Sequence, residues 1–204
     1  MRNILVIFYI FITFGLANSS VNAALGLPEN TARIGYSLGV SHIAVDDPIG
    51  STKSAYSIQP IKLIYSDWWK GASRYWVELY YQEMNLAANQ VQVGQHIKHA
   101  GMNFFLQKNV PINSLIRPWF GVGLSISADV YQKRHTKDDE DFLLKSFPDR
   151  DSKTVGVLLN VVNEWQVSRE STIGGSFLQR LPLGIPYESD LTESVLSVYF
   201  LTRY

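Results

Sequence analysis

Apolar and polar residues alternate one by one along much of this sequence, and that period of two decides what the chain can fold into. In T-A-R-I-G-Y-S-L-G-V-S-H at 31–42, Ala32, Ile34, Tyr36, Leu38 and Val40 fall on one face. Arg33, Gly35, Ser37, Gly39 and Ser41 fall on the other. An extended strand points successive side chains to opposite faces, so the pattern predicts a sheet with one apolar face and one small or polar face. The run at 116–131 keeps it up far longer, with Ile116, Phe120, Val122, Leu124, Ile126 and Val130 against Arg117, Trp119, Gly121, Ser125, Asp129 and Tyr131. Strands of soluble folds usually have about 5–6 residues, whereas a tilted strand needs about 9–11 to cross a bilayer.

The same reading gives strands at 55–65, 74–84, 94–108, 153–165, 171–181 and 193–204, for a total of eight. In 55–65 the apolar parity switches from Tyr56 and Ile58 to Ile61, Leu63 and Tyr65 across Pro60. Proline within a sheet sits at edges and bulges, so a bulge is expected there. The connections at 66–73, 109–114 and 166–170 are short, and those at 43–54, 85–93, 132–152 and 182–192 are long. Short turns at one end and long loops at the other, on an even number of strands, are the signature of a bacterial outer-membrane barrel. The expected architecture is all-β, an eight-stranded antiparallel up-and-down transmembrane barrel.

The amino terminus carries a different signal. Met1 and Arg2 precede an apolar run from Ile4 to Leu16, and the small-residue stretch Val21-Asn22-Ala23-Ala24 follows. A positive start, a short apolar region and a small-residue cut site predict a secretory signal peptide over 1–23, leaving 24–204 as the barrel domain. The apolar run is short for a spanning helix of about 20 residues.

The chain resembles the small eight-stranded outer-membrane barrels of Gram-negative bacteria, the OmpA/OmpW/opacity-protein-like group. The stretch S-L-I-R-P-W-F-G-V-G-L-S at 114–125 is similar to a strand opening frequent in that group, and the last strand ends L-S-V-Y-F-L-T-R-Y, on an aromatic. The group's commonest ending has Phe in the last position and often an aromatic where Thr202 stands. The resemblance implies a monomeric integral outer-membrane protein. It implies outer-membrane lipid and lipopolysaccharide as surroundings, and barrel-assembly machinery as the reader of the terminal strand.

Eight strands enclose a lumen just wide enough for side chains to fill it. The inward parity carries Arg33, Lys62, Arg74, Glu78, Arg117, Asp129, Glu164, Arg180 and Arg203, mixed in sign as a paired polar plug requires. A barrel also needs aromatic girdles where its apolar belt meets the headgroups. Tyr65, Trp68, Trp69, Tyr75, Trp165, Phe200 and Tyr204 lie at turns or strand ends and are expected there, whereas Trp119 shares the inward parity of Arg117.

Composition narrows the chemistry. Lys plus Arg and Asp plus Glu are 18 each in 204 residues, so there is no net charge to suggest a nucleic-acid footprint. With no cysteine there is no disulfide, thiolate zinc site or thiol nucleophile. His96 and His99, three apart, fall on opposite faces of a strand and do not form a metal pair. The run Asp138-Asp139-Glu140-Asp141 lacks the glycine and closing glutamate of a calcium loop and is flanked by Lys133, Arg134 and Lys137. A solvated loop over 132–152 is expected, with no metal and no cofactor. The expected role is non-enzymatic, structural or adhesive, through the extracellular loops. The alternatives are a lipid-modifying hydrolase or acyltransferase using a distributed set such as His42, a serine and Glu83, or a narrow channel.

Overall fold

Strand β1 (Arg33–Asp46) pairs with both the next strand and the last, and this double pairing closes the sheet on itself. The computed structural model describes residues 32–46, 53–90, 92–112, 118–186 and 190–203. It continues with β2 (Lys53–Lys70), β3 (Ser73–Leu86), β4 (Gly94–Asn109) and β5 (Trp119–Lys137). After them come β6 (Leu143–Ser146), β7 (Arg150–Gln166), β8 (Ser171–Pro186) and β9 (Asp190–Arg203). Barrel strands pair antiparallel with their neighbours in chain order, and β1–β9 pairing runs from Arg33↔Arg203 to Asp46↔Asp190. The result is a closed, eight-stranded antiparallel barrel, with β6 as a short extra strand on the extension of β5. Closure leaves the barrel no open edge, as hydrocarbon surroundings demand.

Alternation in the sequence becomes alternation between outside and lumen. On β9, Val195 is 0% exposed and the next residue, Leu196, is 67% exposed. Leu38, Leu79, Phe104, Ile126, Leu159, Phe177 and Val198 likewise stand outward, forming an apolar belt around the barrel. An exposed apolar surface that encircles a molecule has no counterpart on soluble monomers.

The bulge expected at Pro60 is present in the backbone. Ser37 pairs with Lys62 and Gly39 with Gln59, so one strand gains a residue across Pro60. This is why Tyr56 and Ile58 remain outward with Leu63, although their parity differs. The β2–β3 connection is tighter than the span 66–73 suggests. Strand β2 runs on to Lys70, and Gly71 adopts φ 62 in a two-residue turn, a conformation glycine reaches without a Cβ clash.

The span 132–152 is an exposed loop only in part, since strands take up much of it on either side of the acidic turn. Strand β5 continues to Lys137, β6 pairs back onto it through His135↔Ser146 and Thr136↔Lys145, and β7 begins at Arg150. Asp138 Oδ1 accepts the amides of Glu140 (3.0 Å) and Phe142 (2.8 Å), so the first carboxylate of the acidic run closes the hairpin turn. The proposed leader at 1–23, and its cut site, lie outside the described residues, as do Arg117 and Tyr204.

Candidate functional site

Inward-facing residues of the barrel strands build three layers, from the short-turn end to the hairpin end. In the middle, Lys62 on β2 lies 3.3 Å from Glu78 on β3, and Asn103 Nδ2 and Trp76 Nε1 each donate to Glu78 at 2.9 Å. Arg180 on β8 donates to Asn103 Oδ1 (3.2 Å) and pairs with Glu193 on β9 (3.2 Å). Gln82 Nε2 donates to the other Glu193 oxygen at 2.8 Å, and Ser41 donates to Gln82 Oε1 at 3.2 Å. His99 is gripped at both ring nitrogens, Nδ1 by Asp129 and Nε2 by Arg180. Because a guanidinium only donates, the contact with Arg180 assigns the ring proton to Nδ1, where it is given to Asp129. Thr154 also donates to Asp129, at 3.3 Å.

Below this layer Arg74 lies between two indoles, 4.7 Å from the Trp76 ring centre and 4.0 Å from that of Trp119. It bonds Gln107 Oε1 at 2.6 Å and Glu164 at 2.7 Å, and Tyr199 Oη donates to the same Glu164 oxygen at 2.9 Å. Phe105, Leu158, Val162, Leu178 and Leu201 fill the remaining space. Nearest the short-turn mouth, Arg33 donates to Thr172 at 2.7 Å. Above the middle layer sits a second apolar cluster of Ile43, Val45, Met84, Leu86, Ile97, Tyr131 and Leu191. The central charges are therefore paired and enclosed between two side-chain plugs. Such a site can lock strand register and hold the lumen shut. It cannot deliver His99 to a serine, since both ring nitrogens are engaged.

No protein-family model matches the sequence, and no curated protein matches it either. Solved structures do. The Neisserial surface protein A structure superposes with a TM-score of 0.58, at 10% identity, over 85% of this chain and 97% of that one. Ail, the attachment invasion locus protein of Yersinia pestis, gives 0.51 at 9% identity, over 87% of this chain and 100% of that one. The fold is that of the small eight-stranded outer-membrane barrels. At this identity the likeness is one of fold alone.

Within this outer-membrane-type barrel, Glu78, Asp129 and Arg180 occupy the central layer, and Glu164 and Arg33 the lower one. His99, Glu193, Gln82 and Tyr199 belong to the same networks but were not singled out as polar partners from the sequence. Their parity was legible, because Glu193 and Tyr199 alternate with outward Ser194 and Val198, and His99 with outward Lys98. What the sequence lacked was which residues meet across the lumen. His96 does face the opposite way, 3.4 Å from Glu83 on the outer side. His42 also stands outside, against the Tyr56 ring at 4.9 Å, and Glu83 accepts from Tyr81. His42 and Glu83 are thus committed to separate partners.

Tyr65 and Tyr75 share Asp67 Oδ2 (3.4 and 2.9 Å) at the short-turn rim, and Trp69 and Trp165 project outward near it. Phe200 stacks obliquely on Tyr36 at 6.0 Å. Trp68 departs from the girdle expected of it. Its ring packs edge-on to Trp119 at 5.2 Å, because it shares the inward parity of Lys62, Ile64 and Ser66.

Proposed function

We propose that this chain is a monomeric, non-enzymatic barrel of the bacterial outer membrane, with a surface-binding or adhesive role at its hairpin end. The observation that carries the reading is the inversion of the barrel, with an apolar belt outside and a paired, capped charge layer inside. Among the described residues the paired charges lie between two apolar clusters, which argues against a water path or an accessible nucleophile there, so contact with other molecules falls to the ends. Among the described residues, the β5–β6 hairpin is the strand pair that reaches beyond the barrel wall, and it exposes Phe142, Leu143 and Leu144. The two structural neighbours, a surface protein and an attachment invasion locus protein, support a role of this kind. Lipid and lipopolysaccharide would contact the belt, and assembly machinery would read β9.

The test is replacement of 138–148 by a short Gly-Asn turn. The variant should still show heat-modifiable migration on gels, because the barrel strands are untouched. Cells displaying it should lose adherence to host-cell or matrix surfaces relative to the intact protein. Unchanged adherence with a folded barrel would overturn the assignment to this hairpin.

A further inference from the structure

Arg150 opens β7 at the hairpin mouth, across from Tyr131 of β5, with its guanidinium carbon 4.6 Å from the centre of the tyrosine ring. Its Nε, Nη1 and Nη2 are all shut off from solvent, and among the described residues none of them has a hydrogen-bond partner. Stacking satisfies the face of a guanidinium and leaves the five N–H donors at its edge unused. A buried cation without an acceptor is strongly disfavoured. Its acidic sequence neighbours do not supply one, since Asp149 accepts the Lys133 amide at 3.2 Å and Asp151 is exposed on the outward parity.

A second feature of the backbone points to the same place. Through Tyr131, β5 turns its odd-numbered residues inward, but Lys133 adopts φ 53, and beyond it Lys133 is exposed while Arg134 is buried. A left-handed lysine is uncommon and costs strain, and bulges of this kind re-aim side chains next to functional sites. Here the re-aimed residue is Arg134, whose Nη1 reaches Pro148 O at 3.0 Å, two residues before Arg150, and whose guanidinium lies 5.8 Å from the Phe147 ring centre. The strained step turns Arg134 inward at the same hairpin end at which Arg150 opens β7.

We propose that this mouth is an oxyanion-binding site for a phosphate or sulfate group, with Arg150 as its principal ligand and Arg134 as the second cation. A guanidinium fork matches two oxygens of such an anion, and a tetrahedral anion has further oxygens for a second arginine, whereas a carboxylate has only its two in one plane. Arg150 meets the anion by swinging off Tyr131, which costs one stacking contact and gains charge-assisted hydrogen bonds. The site deepens the surface-binding reading by naming a ligand chemistry, and it rests on that reading only for which side of the membrane the mouth faces.

The test titrates the refolded full chain in detergent micelles with inorganic phosphate, inorganic sulfate and acetate, followed by the Arg150 Nε–H resonance and by calorimetry. Phosphate and sulfate should shift the resonance saturably with a Kd of about 1 mM or tighter, and acetate should bind at least about tenfold more weakly. Arg150→Gln should abolish the heat, and Arg150→Lys should weaken binding about tenfold or more, since a lysine lacks the fork. A phosphorylated glycolipid in the micelle that binds about tenfold tighter than free phosphate assigns the anion to a lipid headgroup, and equal affinity assigns it to a soluble one. No saturable shift by either anion up to about 50 mM overturns the site, as does equal heat in a folded Arg150→Gln barrel. Should that variant fail to fold, the resonance of the unaltered protein still decides. Labelling of Lys145 on whole cells separates the two readings, because binding in micelles with Lys145 facing the periplasm keeps the site and removes the surface role.

Discussion

Tyr199 on β9 stands directly across from Gly174 on β8, and its phenol fills the space that a Cβ on Gly174 would occupy. The ring reaches over the glycine to give its hydroxyl to Glu164 and its edge to Trp76, whose ring centre is 5.2 Å away. Tyr80 and Gly101 repeat the arrangement one layer up, between β3 and β4. An inward glycine facing an inward aromatic lets a narrow barrel fit a large ring beside its wall.

Gly174→Ala should therefore destabilise the barrel by about 1–3 kcal/mol, the usual cost of overpacking. Part of that cost is the loss of the Tyr199–Glu164 bond, so Tyr199→Phe should remove some of the penalty that Gly174→Ala adds. Urea unfolding of the two single variants and the double variant in lipid vesicles, read as a cycle, checks it. Purely additive effects would mean the two residues do not share that space.

The central pair gives a larger effect. Arg180 is the cation in contact with both Glu193 and His99. Removing one member of a buried pair leaves a charge uncompensated and costs about 3–5 kcal/mol. Arg180→Met should fall in that range, and Arg180→Met combined with Glu193→Leu should recover much of the loss. Equilibrium unfolding midpoints of the three variants test this, and a single variant as stable as the parent would show that the pair holds nothing.

How much of this was legible follows from what a strand pattern encodes. Period two assigns each residue to lipid or lumen, so Leu196 against Val195 and the parity switch at Pro60 were readable as they stand. Pairing across the lumen was not. Arg180 and His99 meet although 81 residues apart, on strands β8 and β4 that are not neighbours in the sheet, and that meeting depends on strand tilt and stagger summed around the barrel. Trp68 shows the opposite case. Its place near a turn suggested a girdle, but its parity with Ser66 and Ile64 sends it inward, and parity prevailed. The acidic run at 138–141 is the exposed turn its composition signals, whereas the strands that flank it, β5 to Lys137 and β6 at Leu143–Ser146, depend on pairing that composition does not encode.

A lumen closed by the Ile43–Met84–Ile97–Tyr131 cluster above and the Trp76–Trp119 cluster below should not conduct. Planar-bilayer recordings of the reconstituted protein are expected to show no steps above baseline. Incubation with lipid A or phospholipid should give no acyl transfer or hydrolysis, because His99 offers no free ring nitrogen and His42 and Glu83 have separate partners. Reproducible steps would show an open lumen, and turnover would reinstate an enzyme.

The membrane setting itself is tested by an arginine scan of the belt. Val198 lies near mid-belt on β9 and is 61% exposed, and Trp165 lies at the short-turn rim of β7 and is 51% exposed. On a water-facing surface both positions would tolerate arginine within about 0.5 kcal/mol, since neither packs inward. In a bilayer the cost depends on depth. It is about 2–4 kcal/mol at the midplane and about 0–1 kcal/mol near the interface. Val198→Arg should thus lose several times more stability than Trp165→Arg when both are unfolded from lipid vesicles. The difference should shrink in detergent, whose headgroups and water reach the belt more easily. Equal effects in vesicles would place Val198 in contact with water and remove the bilayer from around this barrel.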